Sequence, residues 1–222
     1  MNRIKLAVLG LGSRSTLFYL SELNRAYQNK NGGYSTYPLW LLNTDFNSIN
    51  SLLPNPSEAL DYVVSDYIKK IEQLEVDSIL IPNITLHETI DRLSINKNIV
   101  HPIHLSISKI KANLCKEVVL FGSLFSMKSN YISQHFNAAG IAIISPSESD
   151  MQLIDTVRKE IYNQTETKDL IESYHKVIAK YNSMMPVILG CTELSILKPK
   201  DRNNLIDMVD LQVEHAVNIN PF

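Results

Sequence analysis

Apolar residues along this chain fall into two alternating patterns. Short runs are apolar at nearly every position, as in LAVLG (Leu6–Gly10), VVLFG (Val118–Gly122) and VILG (Val187–Gly190). Longer stretches place them every three or four residues, as in Leu60, Val63, Val64, Tyr67, Ile68 and Ile71. The first pattern reads as strands buried on both faces, the second as amphipathic helices. The first half is therefore predicted to run strand Ile4–Gly10, helix Ser15–Lys30, strand Tyr37–Asn43, helix Ser57–Leu74 and strand Val76–Pro82. Helix Thr85–Leu93, a short strand near Ile99–Ile103 and a helix ending at Asn113 follow. The second half restarts with strand Glu117–Gly122, helix Ser126–Phe136, strand Ile141–Ser145 and helix Ser149–Tyr162. Helix Asp169–Asn182, strand Pro186–Gly190, and a loop and helix from Leu194 onward complete it. Alternating β and α predicts an α/β fold with mostly parallel sheets flanked by helices.

The restart has the form of an internal duplication. KLAVLGLGS (Lys5–Ser13) matches EVVLFGSLFS (Glu117–Ser126) as strand, glycine, serine, helix, and ILIPNIT (Ile79–Thr85) matches VILGCTE (Val187–Glu193) as strand, turn and polar tip. Nearly equal numbers of residues separate Gly10 from Asn83 and Gly122 from Cys191, so Asn83 and Cys191 are counterparts. Two pseudo-symmetric lobes, residues 1–102 with 208–222 and residues 103–207, would place both tips at one cleft. Strand ends that open onto helices are where open α/β sheets hold ligands. Glycine at such an end, as at Gly10, lets backbone N–H groups approach a ligand closely.

Composition narrows the partners. The 222 residues carry a formal net charge of −2, with 20% charged residues. Basic residues are scattered, for example Lys69-Lys70 and Arg158-Lys159, as expected of solvated helix faces. Nothing points to nucleic acid or an anionic membrane. No apolar run approaches the roughly 18 residues of a membrane helix. The N-terminal apolar stretch, interrupted by Arg14 and lacking a small-residue cleavage site, reads as a first strand rather than a signal peptide. The two cysteines, Cys115 and Cys191, form no CxxC pair, which suggests a reducing, cytoplasmic setting. The six histidines include no HExxH, so no metal site is expected.

Cys191 is the foremost chemical candidate. It follows Gly190 at a strand end and precedes Thr192 and Glu193. Free N–H groups at the start of a helix favour a thiolate, and a poised thiol can move a proton at carbon. Buried structural cysteines are common, and that reading suits Cys115, just before a strand. Thr85 and Thr192 could cap helices or offer their hydroxyls to a carboxylate. Glu193 could serve a helix N-terminus or tune the thiol.

VILGCTELSIL resembles the second signature of the aspartate/glutamate racemase family. AVLGLGSRSTLFYL is similar to that family's opening strand and Gly-rich loop, and FGSLFSM (Phe121–Met127) to its central loop, G-T-x-x-T-M; Asp210 and His215 match its C-terminal Asp…His spacing. The resemblance covers essentially the whole sequence. It implies two Rossmann-like lobes with the site in the cleft between them, a homodimer, and cofactor-independent racemisation. In such enzymes one cysteine serves each face of the α-carbon, with no pyridoxal phosphate. Carried onto this sequence, the resemblance places Gly10, Ser13, Arg14, Ser15 and Thr16 in the substrate loop of the first lobe, with Asn43 after the second strand. Ile84 and Thr85 follow at the third strand, and Ser123, Thr192 and Glu193 belong to the second lobe. The substrate implied is aspartate, glutamate or a related small carboxylic acid.

Two departures are written into the sequence. The family's first signature is Cys-Asn-Thr-x-His after a strand; here Thr85 and His87 fit, but the cysteine position falls on Asn83 and its neighbour on Ile84. An amide is no general base near neutral pH, so the two-thiol mechanism is impossible as written. His87 is expected to orient its surroundings, with a surrogate proton role as the alternative. Basic residues that hold the substrate's side-chain carboxylate are also missing: NTDFNSIN (Asn43–Asn50) has none, and Gln152 stands near the second such position. Arg14 is a replacement candidate. Three functions stay open: a racemase with an altered proton path, a single-cysteine decarboxylase of malonate-like acids for which Ile84 and Leu86 would line a small apolar pocket, and a carboxylate-binding protein without turnover. Asp210 and His215 are expected to stitch the C-terminal helix to the first lobe.

Overall fold

The first predicted strand becomes β1 (Leu6–Gly10), with all five residues buried. A computed structural model describes residues 3–201 and 203–219. β1 leads into α1 (Ser13–Asn31), β2 (Trp40–Asn43), α2 (Phe46–Asn50), α3 (Glu58–Glu72), β3 (Ser78–Leu80), α4 (His87–Ile90) and β4 (Asn98–Ile99). All pairings in this sheet are parallel, in the order β2-β1-β3-β4. Alternate residues Ala7, Leu9, Ile79 and Ile81 pack with Leu60, Val64, Ile68 and Ile71 of α3 in one core. The residues between them, Leu6, Val8 and Leu80, are equally buried. Both faces of the sheet are thus covered, which is why its strands read as unbroken apolar runs. α3 is held as its sequence suggests. Ser57 Oγ accepts from Leu60 N, acids occupy its first turn, and Lys69 and Lys70 its last. Each aliphatic side chain it buries contributes about 1.5–3 kcal/mol.

The second half repeats this plan. It comprises α5 (Pro102–Ala112), β5 (Glu117–Phe121), α6 (Leu124–Met127), α7 (Asn130–Ala138), β6 (Ala142–Ile144) and α8 (Glu148–Asn163). α9 (Lys168–Asn182), β7 (Val187–Leu189), α10 (Thr192–Ile196), β8 (Leu205–Asp207) and α11 (Met208–Ile219) follow. The sheet is again all parallel, in the order β6-β5-β7-β8. Val119, Phe121, Val187 and Leu189 pack against Ile154, Val157 and Ile161 of α8 and Tyr174 and Ile178 of α9. The identical strand orders carry the duplication into topology.

The chain divides into one unit of residues up to His101 with those from Gln212 on, and a second unit, Pro102–Leu211. The return to the first unit comes at Gln212 rather than at the expected residue 208. Asp207 and Asp210 are both tied to Lys198 within the second unit. Gln212 is anchored in the first: its Nε2 donates to Val100 O at 2.6 Å and its Oε1 accepts from Tyr19 Oη at 2.5 Å. His215 is exposed.

Other boundaries differ for local reasons. The predicted helix Ser126–Phe136 is two helices, because Ser123 and Ser129 each cap a new start with their hydroxyls. The predicted helix Thr85–Leu93 shrinks to α4. The strand near Ile99–Ile103 pairs only over Asn98–Ile99, since Pro102 opens α5 instead, where its missing N–H and fixed φ suit the first helical position. α2, capped by Asp45, and the three-residue β8 have no counterpart in the sequence pattern. Three apolar-edged residues carry no readable period; β8 exists because β7 lies beside it.

Candidate functional site

In the first unit, the end of β1 turns tightly against β2. A Cβ on Gly10 would stand 2.7 Å from Asn43 Oδ1, 3.0 Å from Leu41 Cδ1 and 3.2 Å from Asn43 Cα, so a side chain there would displace those of Asn43 and Leu41 and crowd the main chain of β2. Thr44 clamps the same turn, its N and Oγ1 donating to Gly10 O at 3.0 and 2.9 Å. Thr16 Oγ1 accepts from Leu11 N at 3.0 Å and is buried, so this hydroxyl holds the loop. Ser15 is buried, Arg14 half-buried, and Ser13 and Asn43 exposed. Gly12 begins α1 without a side-chain cap.

Asn83, just past β3, has a definite structural task. Its Oδ1 accepts from Leu86 N at 3.1 Å, and its main-chain oxygen accepts from His87 Nδ1 at 2.9 Å. The amide thus caps the turn into α4, a role the sequence offered to Thr85. Asn83 Nδ2 and the Thr85 hydroxyl make no hydrogen bond among the described residues; both side chains are half-buried, as is Ile84. His87 is fully buried, its ring 4.6 Å edge-on from that of His101. With Nδ1 donating to Asn83 O, Nε2 carries the lone pair, and that atom is buried without a partner among the described residues. Desolvation, and then the proximity of His101, lower its pKa to about 3. The ring is neutral at ordinary pH and out of reach of solvent. Its Nδ1 is committed to the main chain of the Asn83 turn.

In the second unit, Cys191 follows β7 and precedes α10. Its Sγ donates to Glu193 Oε2 at 2.9 Å. Burial first, then the charge of Glu193 and the hydrogen bond to it, push the thiol well above its usual pKa; the charge of Arg158 and the main-chain N–H of Glu193 pull the other way. The expected thiolate is therefore not the resting form. α10 spans only Thr192–Ile196, and the pull of the Glu193 main-chain N–H on the thiol is outweighed by burial and by the Glu193 carboxylate. Thr192 is buried, with its hydroxyl unused by any described residue. Ser123 Oγ caps α6 by accepting from Ser126 N at 3.1 Å.

Behind these turns lie two polar clusters that the sequence does not announce. Ser195 N and Oγ donate to Cys191 O at 3.2 and 3.3 Å, and Ser195 Oγ also stands 2.7 Å from Asp207 Oδ1. Lys198 Nζ lies 2.5 Å from Asp207 Oδ2 and 2.6 Å from Asp210 Oδ1. Burial raises the Asp207 carboxyl above its usual range more than Lys198 lowers it, and Asp210 adds to the rise. In the other cluster, buried Asp155 accepts from Leu124 N, next to Ser123, and pairs with Arg158 and Lys159. The i, i+3 and i, i+4 spacing of Asp155, Arg158 and Lys159 is the one readable sign of it. Gln152 is exposed and donates to Glu148. Among the described residues, no group of three or more His, Cys, Asp or Glu could hold a metal ion. None of the described helices is long and apolar enough to cross a membrane.

A family model described as Asp/Glu/Hydantoin racemase matches residues 8–216. An aspartate racemase homologue from Pyrococcus horikoshii superposes with a TM-score of 0.83 at 19% identity, over 97% of this chain and 98% of that one. Picrophilus torridus aspartate racemase gives 0.79 at 18%, over 98% and 94%. Francisella tularensis glutamate racemase, solved in complex with D-glutamate, gives 0.62 at 14%, over 99% and 81%. At such identities these likenesses establish the two-lobed fold. No curated protein matches by sequence.

Proposed function

This chain belongs to the Asp/Glu/Hydantoin racemase family, and on that premise we propose that it is a cofactor-independent enzyme acting at the α-carbon of aspartate, glutamate or a related small acid, with Cys191 as the single thiol that acts as acid and base. The observation that carries this reading is the S–H of Cys191 directed at Glu193 Oε2, 2.9 Å away. Glu193 Oε2 takes the thiol proton; the thiolate then removes the α-proton and leaves a planar carbanion. Returning that proton from Cys191 regenerates the same enantiomer, and protonation of the other face inverts it. In this reading water is the donor on that other face, and the hydroxide it leaves takes up the proton held by Glu193. Within the second unit, the unused hydroxyl of Thr192, next to Cys191, is suited to hold a substrate carboxylate; within the first, Asn83 Nδ2 and the Thr85 hydroxyl are likewise unused among the described residues.

A one-thiol enzyme exchanges faster than it inverts. In heavy water, the α-proton signals of L- and D-aspartate and L- and D-glutamate are followed by NMR alongside optical rotation. We expect exchange that outruns inversion and is lost in Cys191→Ala. Silence from all four substrates would sink the reading for these acids.

The protonated resting thiol also suits a second reaction, one-sided protonation of a carbanion formed by loss of carbon dioxide. Gas release from a panel of disubstituted malonates, abolished by Cys191→Ala, is its check.

A further inference from the structure

We infer that Arg158, held side-on by Asp155, is the cationic seat for a substrate carboxylate beside Cys191. The inference rests on the reading of Cys191 as the reacting group, and it assigns the anchor that neither Asn43 nor Gln152 can supply. A carboxylate approaching Cys191 meets Glu193, whose Oε2 lies 2.9 Å from the sulfur. Two anions at one thiol repel unless a cation stands with them.

The second unit contains such a cation, already oriented. α8 packs against α6 and α10, the short helices that follow Ser123 and Cys191, and Cys191 itself packs on the core to which Ile154, Val157 and Ile161 belong. On this helix, Asp155 Oδ1 accepts from Leu124 N at 3.2 Å and from Arg158 Nε at 3.1 Å. Its other oxygen pairs with Lys159 at 2.7 Å. One buried carboxylate thus serves two cations and leaves one positive charge in surplus. The Lys159 side chain is 59% exposed and belongs to water, whereas that of Arg158 is 24% exposed.

Arg158 spends only Nε on Asp155. Its two terminal nitrogens, with four N–H groups, have no partner among the described residues. Such a planar fork matches a carboxylate bidentately, which an ammonium cannot do. Because Asp155 fixes the side chain beforehand, little rotamer entropy remains to be lost on binding. An exposed i, i+3 ion pair on a helix would mean little. Here the acceptor is 3% exposed and bonds the main chain beside Ser123, and the Arg158 charge reaches the thiol, whose pKa it lowers against burial and Glu193.

Alkylation of Cys191 tests this without any turnover. In a Cys115→Ser background, the rates with iodoacetate, which carries a carboxylate, and with iodoacetamide, its neutral counterpart of similar size, are measured by peptide mass spectrometry. Any change in the thiol's own pKa affects both reagents and cancels in their ratio. We expect the iodoacetate/iodoacetamide ratio to fall by about fivefold or more in Arg158→Gln. Arg158→Lys, which keeps the charge and loses the fork, should recover only part of it. Millimolar D-glutamate should shield Cys191 from iodoacetamide in the parent and fail to do so in Arg158→Gln. A ratio within twofold of the parent in a folded Arg158→Gln overturns the assignment. Should that variant not fold, an unchanged ratio and undiminished shielding in Arg158→Lys overturn it equally. Failure of α-proton exchange would instead sink the proposed reaction and leave the anchor standing.

Discussion

His87 makes the sharpest quantitative prediction, because its ring has no exposed surface and its Nε2 no acceptor among the described residues. Charging it in the folded state would place a buried N–H donor and a positive charge where neither water nor an acceptor waits. Its pKa is accordingly about 3, against an ordinary 6.5. Above pH 6.5 the ring is neutral in both folded and unfolded states and contributes no pH dependence. Below it the unfolded state takes up a proton that the folded state refuses, so stability falls as pH falls. The loss is about 1.4 kcal/mol per pH unit, or about 2 kcal/mol by pH 5, and it continues until the folded ring titrates near pH 3. Urea unfolding of the parent and of His87→Gln at pH 7 and pH 5 isolates this part, because the remaining histidines and carboxylates are common to both proteins. The parent should lose about 2 kcal/mol more than the variant over that interval. The imidazole resonances of His87 in the folded protein should not titrate between pH 7 and pH 5. Equal losses in the two proteins, or a midpoint for His87 near 6.5, would refute the reasoning.

Replacing Glu193 by Gln removes both influences by which that residue raises the Cys191 pKa. Iodoacetamide should therefore react faster with the variant at pH 8 while α-proton exchange slows; a slower alkylation would contradict the hydrogen-bonded thiol. Lys198→Met leaves Asp207 buried without its cation and should cost about 3–5 kcal/mol in urea unfolding, largely recovered by adding Asp207→Asn; a cost under about 1 kcal/mol would mean the pair is not buried as described. Asn83→Ala deletes the cap on Leu86 N and should cost about 1 kcal/mol in the same urea assay. Asn83→Cys tests chemistry instead, and two-way racemisation should emerge there if the remaining site is that of a racemase.

Both turns can be located from the sequence, but their roles cannot. The duplication in strands, glycines and polar tips survives as two sheets of identical order. Asn83, conspicuous as the seat of a missing thiol, is engaged in capping and in anchoring His87. A cap depends on which N–H groups a turn brings within about 3 Å, and ILIPNITLH does not encode that in its period. Cys191 stands out in the sequence, yet its protonation state is opposite to the one its position suggests. That state depends on burial and on the rotamer of Glu193, and neither is written in GCTE.

What the sequence determined by itself is the part governed by period and by local sterics. Runs apolar at every position had to lie in sheets covered on both faces, glycine at position 10 gives β2 room to approach without displacing side chains, and Ser57, Ser147 and Thr167 start helices through their own hydroxyls. Tertiary structure alone decided what depends on distant pairings. It made a strand of Leu205–Asp207, drew Lys198 between Asp207 and Asp210, tied the C-terminal helix down at Gln212 and sealed His87 away from water. It also set a buried carboxylate at Asp155 to aim Arg158. Hydrophobic period is a property of neighbours in sequence, whereas charge and proton affinity are properties of whatever the fold places alongside.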